Sequence, residues 1–246
     1  MRGFYTVFSR DMLSLRRRFT KHALAGMVNP LLLLIAFGLG LGRGVKVGGV
    51  SYLEFIVPGI IALSGMTASF SAVGISLNIS RRYTKTLEIL LTAPISPLAV
   101  SLGKVLAGMM RGVLSSGIIL ILGFIFGAKL SLNMAAIVII LLNCFLFASL
   151  GLYIGLTLWS HEDMSNFTTM VLLPMAFFGG TFFPLESLPL GFSAILYLLP
   201  LTHVSISLRA AMLGLDIPVA SILIIPVLGI IFLYLGMRAF RKGDLT

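Results

Sequence analysis

The chain predicts an all-α membrane protein of six transmembrane helices, on the strength of three observations. It is 58% hydrophobic and only 11% charged over 246 residues, which is too apolar for the surface of a soluble domain. It holds several runs of about 20 or more residues with few or no charges, the length a helix needs to cross a hydrocarbon core about 30 Å thick. Its 18 Lys and Arg residues also fall mainly on one side of those runs.

Seven candidate runs are present, at 22–42, 55–80, 98–128, 130–161, 164–185, 187–208 and 217–237. Charge decides how many of them cross, because Lys and Arg flanking a span favour the cytoplasmic side. Arg2, Arg10, Arg16, Arg17, Arg18 and Lys21 precede the first run, and Arg238, Arg241 and Lys242 follow the last. Both termini are therefore expected in the cytoplasm, and the number of spans must be even. The run 187–208 is the weakest, since Pro189, Gly191 and Pro200 break it and His203 lies within it. It is expected to dip in from outside without crossing, so that 184–216 forms an external re-entrant hairpin between the last two spans. On this topology the external segments keep only Arg43, Lys46, Lys129 and Arg209.

Before the first span, residues 1–21 place Phe4, Phe8, Met12, Leu15 and Phe19 on one helical stripe and Arg10, Ser14, Arg17 and Lys21 on another. This is the pattern of an amphipathic helix at the cytoplasmic interface, where Arg16-Arg17-Arg18 would add attraction to anionic lipid headgroups. It serves either as a plain topology anchor or as a docking element. The first span itself is too long for a signal-peptide core and is read as uncleaved.

The cytoplasmic loop 79–97 joins the second and third spans. In it Arg81, Lys85 and Glu88 share one helical face, and Tyr83, Leu87, Leu90 and Leu91 another, before Pro94 and Pro97 bar continuation. Two roles fit: a solvated connector, or a short helix that rests on the membrane domain and presents charge, including Arg82, to a soluble partner. Inside the third span Lys104 and Arg111 stand seven residues apart and so lie on roughly one face. Either the helix starts below the membrane, leaving Lys104 among headgroups and Arg111 snorkelling toward them, or the pair is a functional intramembrane charge.

Other residues narrow the function by exclusion. The carboxylates fall at span edges, in loops or in the tails, so no intramembrane acid is available to bind a driving proton or cation. His161-Glu162 opens like a zinc-protease helix, yet Ser165 stands where the second His is required. No phosphate-binding G-x-x-x-x-G-K-[ST] occurs, so the chain is not expected to hydrolyse ATP or to have a catalytic or metal site. Cys144 is the single cysteine, and no intrachain disulfide is possible. The net charge of +10 is explained by topology, and nucleic acid is not an expected partner. Gly108-x-x-x-Gly112 and Gly151-x-x-x-Gly155 would permit close helix approach.

Several motifs in order resemble the membrane subunits of ABC transporters known as ABC-2 type permeases. They are Phe55-Ile56-Val57-Pro58-Gly59-Ile60 in the second span, and Leu87-Glu88-Ile89-Leu90-Leu91-Thr92-Ala93-Pro94-Ile95-Ser96 in the loop after it. They continue with His161-Glu162-Asp163, with Gly179-Gly180-Thr181-Phe182-Phe183-Pro184 and Leu188-Pro189, and with Pro200-Leu201-Thr202-His203 leading to Arg209. The resemblance runs nearly end to end, making 1–246 a single domain of this type in the cytoplasmic (inner) membrane. It implies that two such subunits pair around a pathway and that separate ATPase subunits power them. ATP and Mg would be held by those partners and none by this chain.

The resemblance further implies ATPase coupling through Arg81, Arg82, Lys85, Glu88, His161, Glu162 and Asp163. It implies an external gate at Gly179, Gly180, Pro184, Glu186, Pro189, Pro200, His203 and Arg209. The cargo would be a lipophilic or lipid-linked compound, whether drug, lipid or saccharide. The rival readings are an integral membrane enzyme, which would need a polar cluster, and an ATP-independent channel or scaffold.

The topology can be tested in a Cys144→Ala background with single cysteines and an impermeant thiol reagent. Cysteines replacing Lys46, Glu186 and Asp216 should label from outside, and those replacing Lys85, Glu162 and Lys242 should not. External labelling at 242 would overturn the even-span topology.

Overall fold

A computed structural model describes residues 28, 30–41, 44–82, 96–158, 160–185 and 188–241. The predicted interface helix at 1–21, together with Lys85, Glu88 and Glu186, lies outside the described residues. Within them the chain is helical apart from one small hairpin. Helix α1 covers 30–41 and is π-wound over Leu34–Leu41. Strands β1 (Lys46–Val47) and β2 (Val50–Ser51) pair antiparallel. There follow α2 (Tyr52–Arg82), α3 (Pro97–Ile125) and α4 (Met134–Thr157). Helix α5 covers 161–178 in three joined pieces: His161–Phe167, a π-turn at Thr168–Leu172, and Leu173–Phe178. Last come α6 (Leu190–Leu196), α7 (Pro200–Leu213) and α8 (Val219–Arg241).

Each boundary has a local cause. Gly48 and Gly49 hold φ of 58° and 85°, the double left-handed turn that closes a two-residue hairpin with the twist of its strands. Ser51 and Glu54 then cap α2 reciprocally: the Ser51 N–H donates to the Glu54 carboxylate at 3.0 Å, and the Glu54 N–H to the Ser51 hydroxyl at 3.3 Å. That box starts the helix at Tyr52, ahead of the first residue of the expected apolar run. At its other end α2 continues through Arg81 and Arg82, which stand on this helix as the last described residues before Ser96. Nothing between Ser80 and Arg82 breaks a helix, and cations suit a helix C-terminus.

Ser96 caps α3 ahead of Pro97, which sits where its missing N–H is harmless. Asn133 accepts the Ala136 N–H at 2.8 Å to start α4. The π-turn in α5 lies just ahead of Pro174, which has no N–H for the carbonyl of Met170. Winding in which a carbonyl bonds five residues ahead reaches past the proline.

Among the described residues α2, α3, α4 and α8 are long and apolar enough to cross a membrane. The run expected at 187–208 is divided at Tyr197–Leu199 into α6 and α7. With 14 residues, α7 is about 21 Å long, too short to cross a core of about 30 Å.

Glycines set the spacing of the bundle. A methyl group added at Gly151 would stand 2.7 Å from the Phe70 carbonyl oxygen, and one at Gly155 2.7 Å from that of Gly74. Both glycine pairs expected to allow close approach therefore do so: Gly151 and Gly155 of α4 lie on the backbone of α2. Gly108 and Gly112 of α3 meet Ser69 and Gly65 of α2. Helix α8 meets α4 chiefly through side chains, the Phe145 ring over Gly229 and Leu152 over Gly236.

Hydroxyl and amide groups add to the seam, with the Asn143 carboxamide donating to the Ala62 carbonyl at 3.0 Å and the Ser116 hydroxyl to that of Ile61 at 3.1 Å. Lipid tails are as apolar as leucine, so such contacts, and not apolar burial, hold membrane helices together.

Gly151→Leu and Gly112→Leu should each force α2 away from its neighbour, and overpacking of this kind costs about 1–3 kcal/mol or more. Gly117→Ala, which meets open space, should be tolerated. Thermal unfolding in detergent, followed by monodisperse elution, measures the contrast; equal midpoints for all three variants would refute the backbone-contact account.

Candidate functional site

The predicted gate residues assemble at the end of the bundle that carries the β-hairpin. After α5 the chain turns at Gly179 and Gly180, both buried, and Gly180 adopts φ of 70°, a conformation glycine reaches without a Cβ clash. The turn is pressed onto α2: a Cβ on Gly59 would lie 2.8 Å from the Thr181 Cα, and the Tyr52 hydroxyl donates to the Phe182 carbonyl at 2.9 Å. Phe37 of α1 and Phe177 of α5 pack their rings against Phe182 at centroid distances of 5.0 and 5.7 Å.

Arg209 of α7 locks this corner. Its Nε–H donates to the Phe55 carbonyl at 3.0 Å and its Nη2 to the Gly180 carbonyl at 2.6 Å, while the guanidinium lies 3.8 Å above the Phe55 ring. One cation thus joins α7, the first turn of α2 and the turn after α5. Hydrogen bonds from a charged donor are stronger than neutral ones, and a cation over an aromatic face adds to them. Glu186 and Asp216 are candidate carboxylate partners for Arg209, and Glu186 lies outside the described residues. Among the described residues Arg209 meets two backbone carbonyls and a ring, and Asp216 is exposed in the loop before α8.

His203, one and a half turns earlier on α7, ties two further elements. Its Nε2 lies 2.8 Å from the Tyr197 carbonyl, which only accepts, so that nitrogen carries the proton and donates. Nδ1 faces the Ser221 hydroxyl in the first turn of α8 at 3.1 Å. The far end of α7 is fastened as well, by Ser131 and Asn133 donating to the carbonyls of Met212 and Ala211 at 2.8 and 2.7 Å. Both ends of α7 are therefore bonded to residues at the same end of the bundle. Pro200 opens α7, Pro184 is half-buried in the turn, and Pro189 is exposed just ahead of α6.

At the opposite end lie the residues expected to meet a soluble partner. Arg81 and Arg82 close α2, and His161, Glu162 and Asp163 form the exposed first turn of α5. Asp163 has a local duty, since it and Ser160 form the capping box of α5. Asn78, one turn before the end of α2, donates to the carbonyls of Leu158 and Ser160 and so joins these two groups.

Lys104 lies about 10 Å into α3 and is 3% exposed, whereas Arg111, about 21 Å in, is half-buried. Helix α3 measures about 43 Å and so overhangs a core of about 30 Å. An overhang at the Pro97 end would place Lys104 at headgroup depth.

Sequence reasoning missed the polar groups inside the bundle. Ser64, Ser69, Ser116, Asn143 and Ser149 are all fully buried along α2, α3 and α4. Their signal was the spacing Gly65-x-x-x-Ser69 and Gly108-x-x-x-Gly112-x-x-x-Ser116, a small-residue seam with hydroxyls on it. No group of three His, Cys, Asp or Glu able to hold a metal occurs among the described residues.

A family model described as ABC-2 type transporter matches residues 2–213. The chain is 31% identical over 223 residues to nodulation protein J of Rhizobium meliloti (strain 1021), covering 86% of this chain and 82% of that protein. It is 27% identical over 234 residues to the inner membrane transport permease YadH of Escherichia coli (strain K12), covering 94% and 91%. Helices built to cross a membrane, packed backbone to backbone and matched over nearly their whole length, place this chain in the ABC-2 type transporter family, as an integral membrane component of transport.

Proposed function

We propose that this chain is the permease subunit of an ATP-driven exporter that moves a lipophilic or lipid-linked compound, whether drug, lipid or saccharide, out of the cytoplasm. Two permease subunits, either two copies of this chain or this chain and a homologous one, would flank the pathway. A separate ABC ATPase subunit would bind ATP and Mg and do the hydrolysis. The relative named as an inner membrane transport permease supports the same membrane for this chain.

One observation carries the pathway. Helix α5 leaves Ser165, Asn166, Thr169, Met170, Leu173 and Phe177 exposed along one side. Its 18 residues make about 27 Å, nearly the depth of the core, so Asn166 and Thr169 would stand at membrane depth. Polar side chains at that depth are disfavoured against lipid and belong against protein or water. A second permease subunit with a cavity between supplies both. The face mixes an amide and hydroxyls with Met, Leu and Phe, which suits a cargo that is mostly apolar.

In this reading α1 and α5 complete six spans with α2, α3, α4 and α8, and both termini face the cytoplasm beside a lipid-bound helix at 1–21. Arg81, Arg82, Lys85, Glu88, His161, Glu162 and Asp163 face the ATPase. The α6–α7 hairpin is the external lid, held shut by Arg209. The step is alternating access, or lateral release, driven by ATPase dimerisation. A partner can shift such an equilibrium only by binding the two states with different affinity, so the ATPase must grip the cytoplasmic turns differently when closed.

The purified chain alone should show no ATP hydrolysis, and in the assembled complex Glu88→Ala or the pair Arg81→Ala, Arg82→Ala should lower transport-linked hydrolysis several-fold while insertion is kept. Robust hydrolysis by the isolated chain would overturn the reading. For the lid, Arg209→Gln should reduce export far more than assembly, since charged hydrogen bonds to two carbonyls, worth about 1.5–3 kcal/mol each, are weakened where the hairpin closes. Gly180→Leu strains a left-handed residue and should lose folded protein as well. Equal losses of export and assembly in Arg209→Gln would leave Arg209 a packing role only.

A further inference from the structure

We propose that Asn78 is a positioning residue, the strut through which movement at the C-terminal end of α2 is handed to the first turn of α5. The inference rests on the transport reading above and names the side chain that carries its conformational step.

Asn78 is 1% exposed, one turn before α2 ends. Its Nδ2 stands 3.4 Å from the Leu158 carbonyl oxygen and 3.3 Å from that of Ser160, the two carbonyls flanking the link from α4 to α5. A carboxamide nitrogen has two hydrogens, one for each acceptor. Ser160 is also the residue that starts α5. Its hydroxyl accepts the Asp163 N–H at 2.8 Å, its own N–H donates to the Asp163 carboxylate at 3.1 Å, and its carbonyl accepts the Met164 N–H at 3.2 Å. The carbonyl gripped by Asn78 is thus the first acceptor of the helix.

The grip is the last of three rungs spaced four residues apart on α2. Phe70 stacks on Phe167 at 5.8 Å. The Met164 methyl carbon lies 3.5 Å from where a Gly74 Cβ would stand, and Asn78 holds Ser160. Of the three, only Asn78 makes a directional bond. Beyond Phe167 the π-turn begins and α5 exposes its outward side. The base of α5 is therefore fastened to α2 over about two turns, and the strut is the rung nearest the ATPase-facing end.

Packing alone does not call for an amide here. The Asn78 Oδ1 is buried without a hydrogen-bond partner among the described residues, a destabilising arrangement that a leucine of similar size would avoid. What leucine would not supply is the pair of N–H groups on the α4–α5 link. A directional tether between two elements that move together explains that choice.

The test uses the full chain, with Cys144→Ala, assembled with its ATPase subunit in proteoliposomes and carrying one cysteine at Ser80, before the strut, or at Ser165, beyond it. The rate of labelling by N-ethylmaleimide is measured without nucleotide and with ATP plus vanadate. In the parent both positions should change rate several-fold on nucleotide trapping. In Asn78→Leu the change should persist at 80 and vanish at 165. Asn78→Ser, too short to span both carbonyls, should behave alike and serves if the leucine variant fails to assemble. A nucleotide response at 165 that survives either substitution would overturn the strut, and so would loss of the response at both positions. If neither position responds in the parent, the ATP-driven reading falls, and this inference with it.

Discussion

Backbone contact across glycine is the constraint on which the rest of this bundle depends. Burying apolar side chains gives helices little reason to associate when the surrounding lipid is equally apolar. What remains is dispersion at close range and hydrogen bonding, and both need backbones near one another. Gly151 and Gly155 on α2, and Gly108 and Gly112 on its other side, bring the three helices to that range. Only then can Asn143 and Ser116 reach the carbonyls of Ala62 and Ile61. The result is a block of α2, α3 and α4 whose internal distances are set by absent side chains.

Against that block, α5 and the α6–α7 hairpin are attached by packing supplemented with long-range side-chain bonds. Beside the Gly59–Thr181 contact and the Phe70–Phe167 stack, directional bonds fasten them: Arg209 on two carbonyls, His203 between Tyr197 and Ser221, Ser131 and Asn133 on the end of α7, and Asn78 on the α4–α5 link. Close-packed surfaces resist gradual deformation, whereas a handful of hydrogen bonds can be exchanged as a set. A fold that must hold one part still and move another is well served by such a division.

Much of this was legible in the sequence. Long apolar runs located α2, α3, α4 and α8 because length and composition are what the bilayer selects. Pro189, Gly191 and Pro200 announced the broken segment that became α6 and α7. The GxxxG spacings pointed at real seams, yet composition could not say which helix they met. Arg81 and Arg82 were grouped with the loop because charge marks the membrane edge, while the helix itself ignores that edge and runs on to Arg82.

The partners of Arg209 and Asn78 were not legible for a different reason. Both side chains bond backbone carbonyls far away in the chain, 154 and 29 residues from Arg209 and 80 and 82 from Asn78. A carbonyl is present at every residue and leaves no trace in the choice of amino acid.

The π-turn at Thr168–Leu172 has a consequence of phase. Adding one residue to a helical path rotates everything beyond it by about 100° relative to an unbroken α-helix. The extra residue brings Ala176, about 120° away from Met164 in a single 3.6-residue repeat, to within about 20° of the column that Met164 starts. Closing the turn by deleting a single residue would leave the length almost unchanged, yet it would swing the Gly180–Thr181 corner off its seats on Arg209 and Gly59.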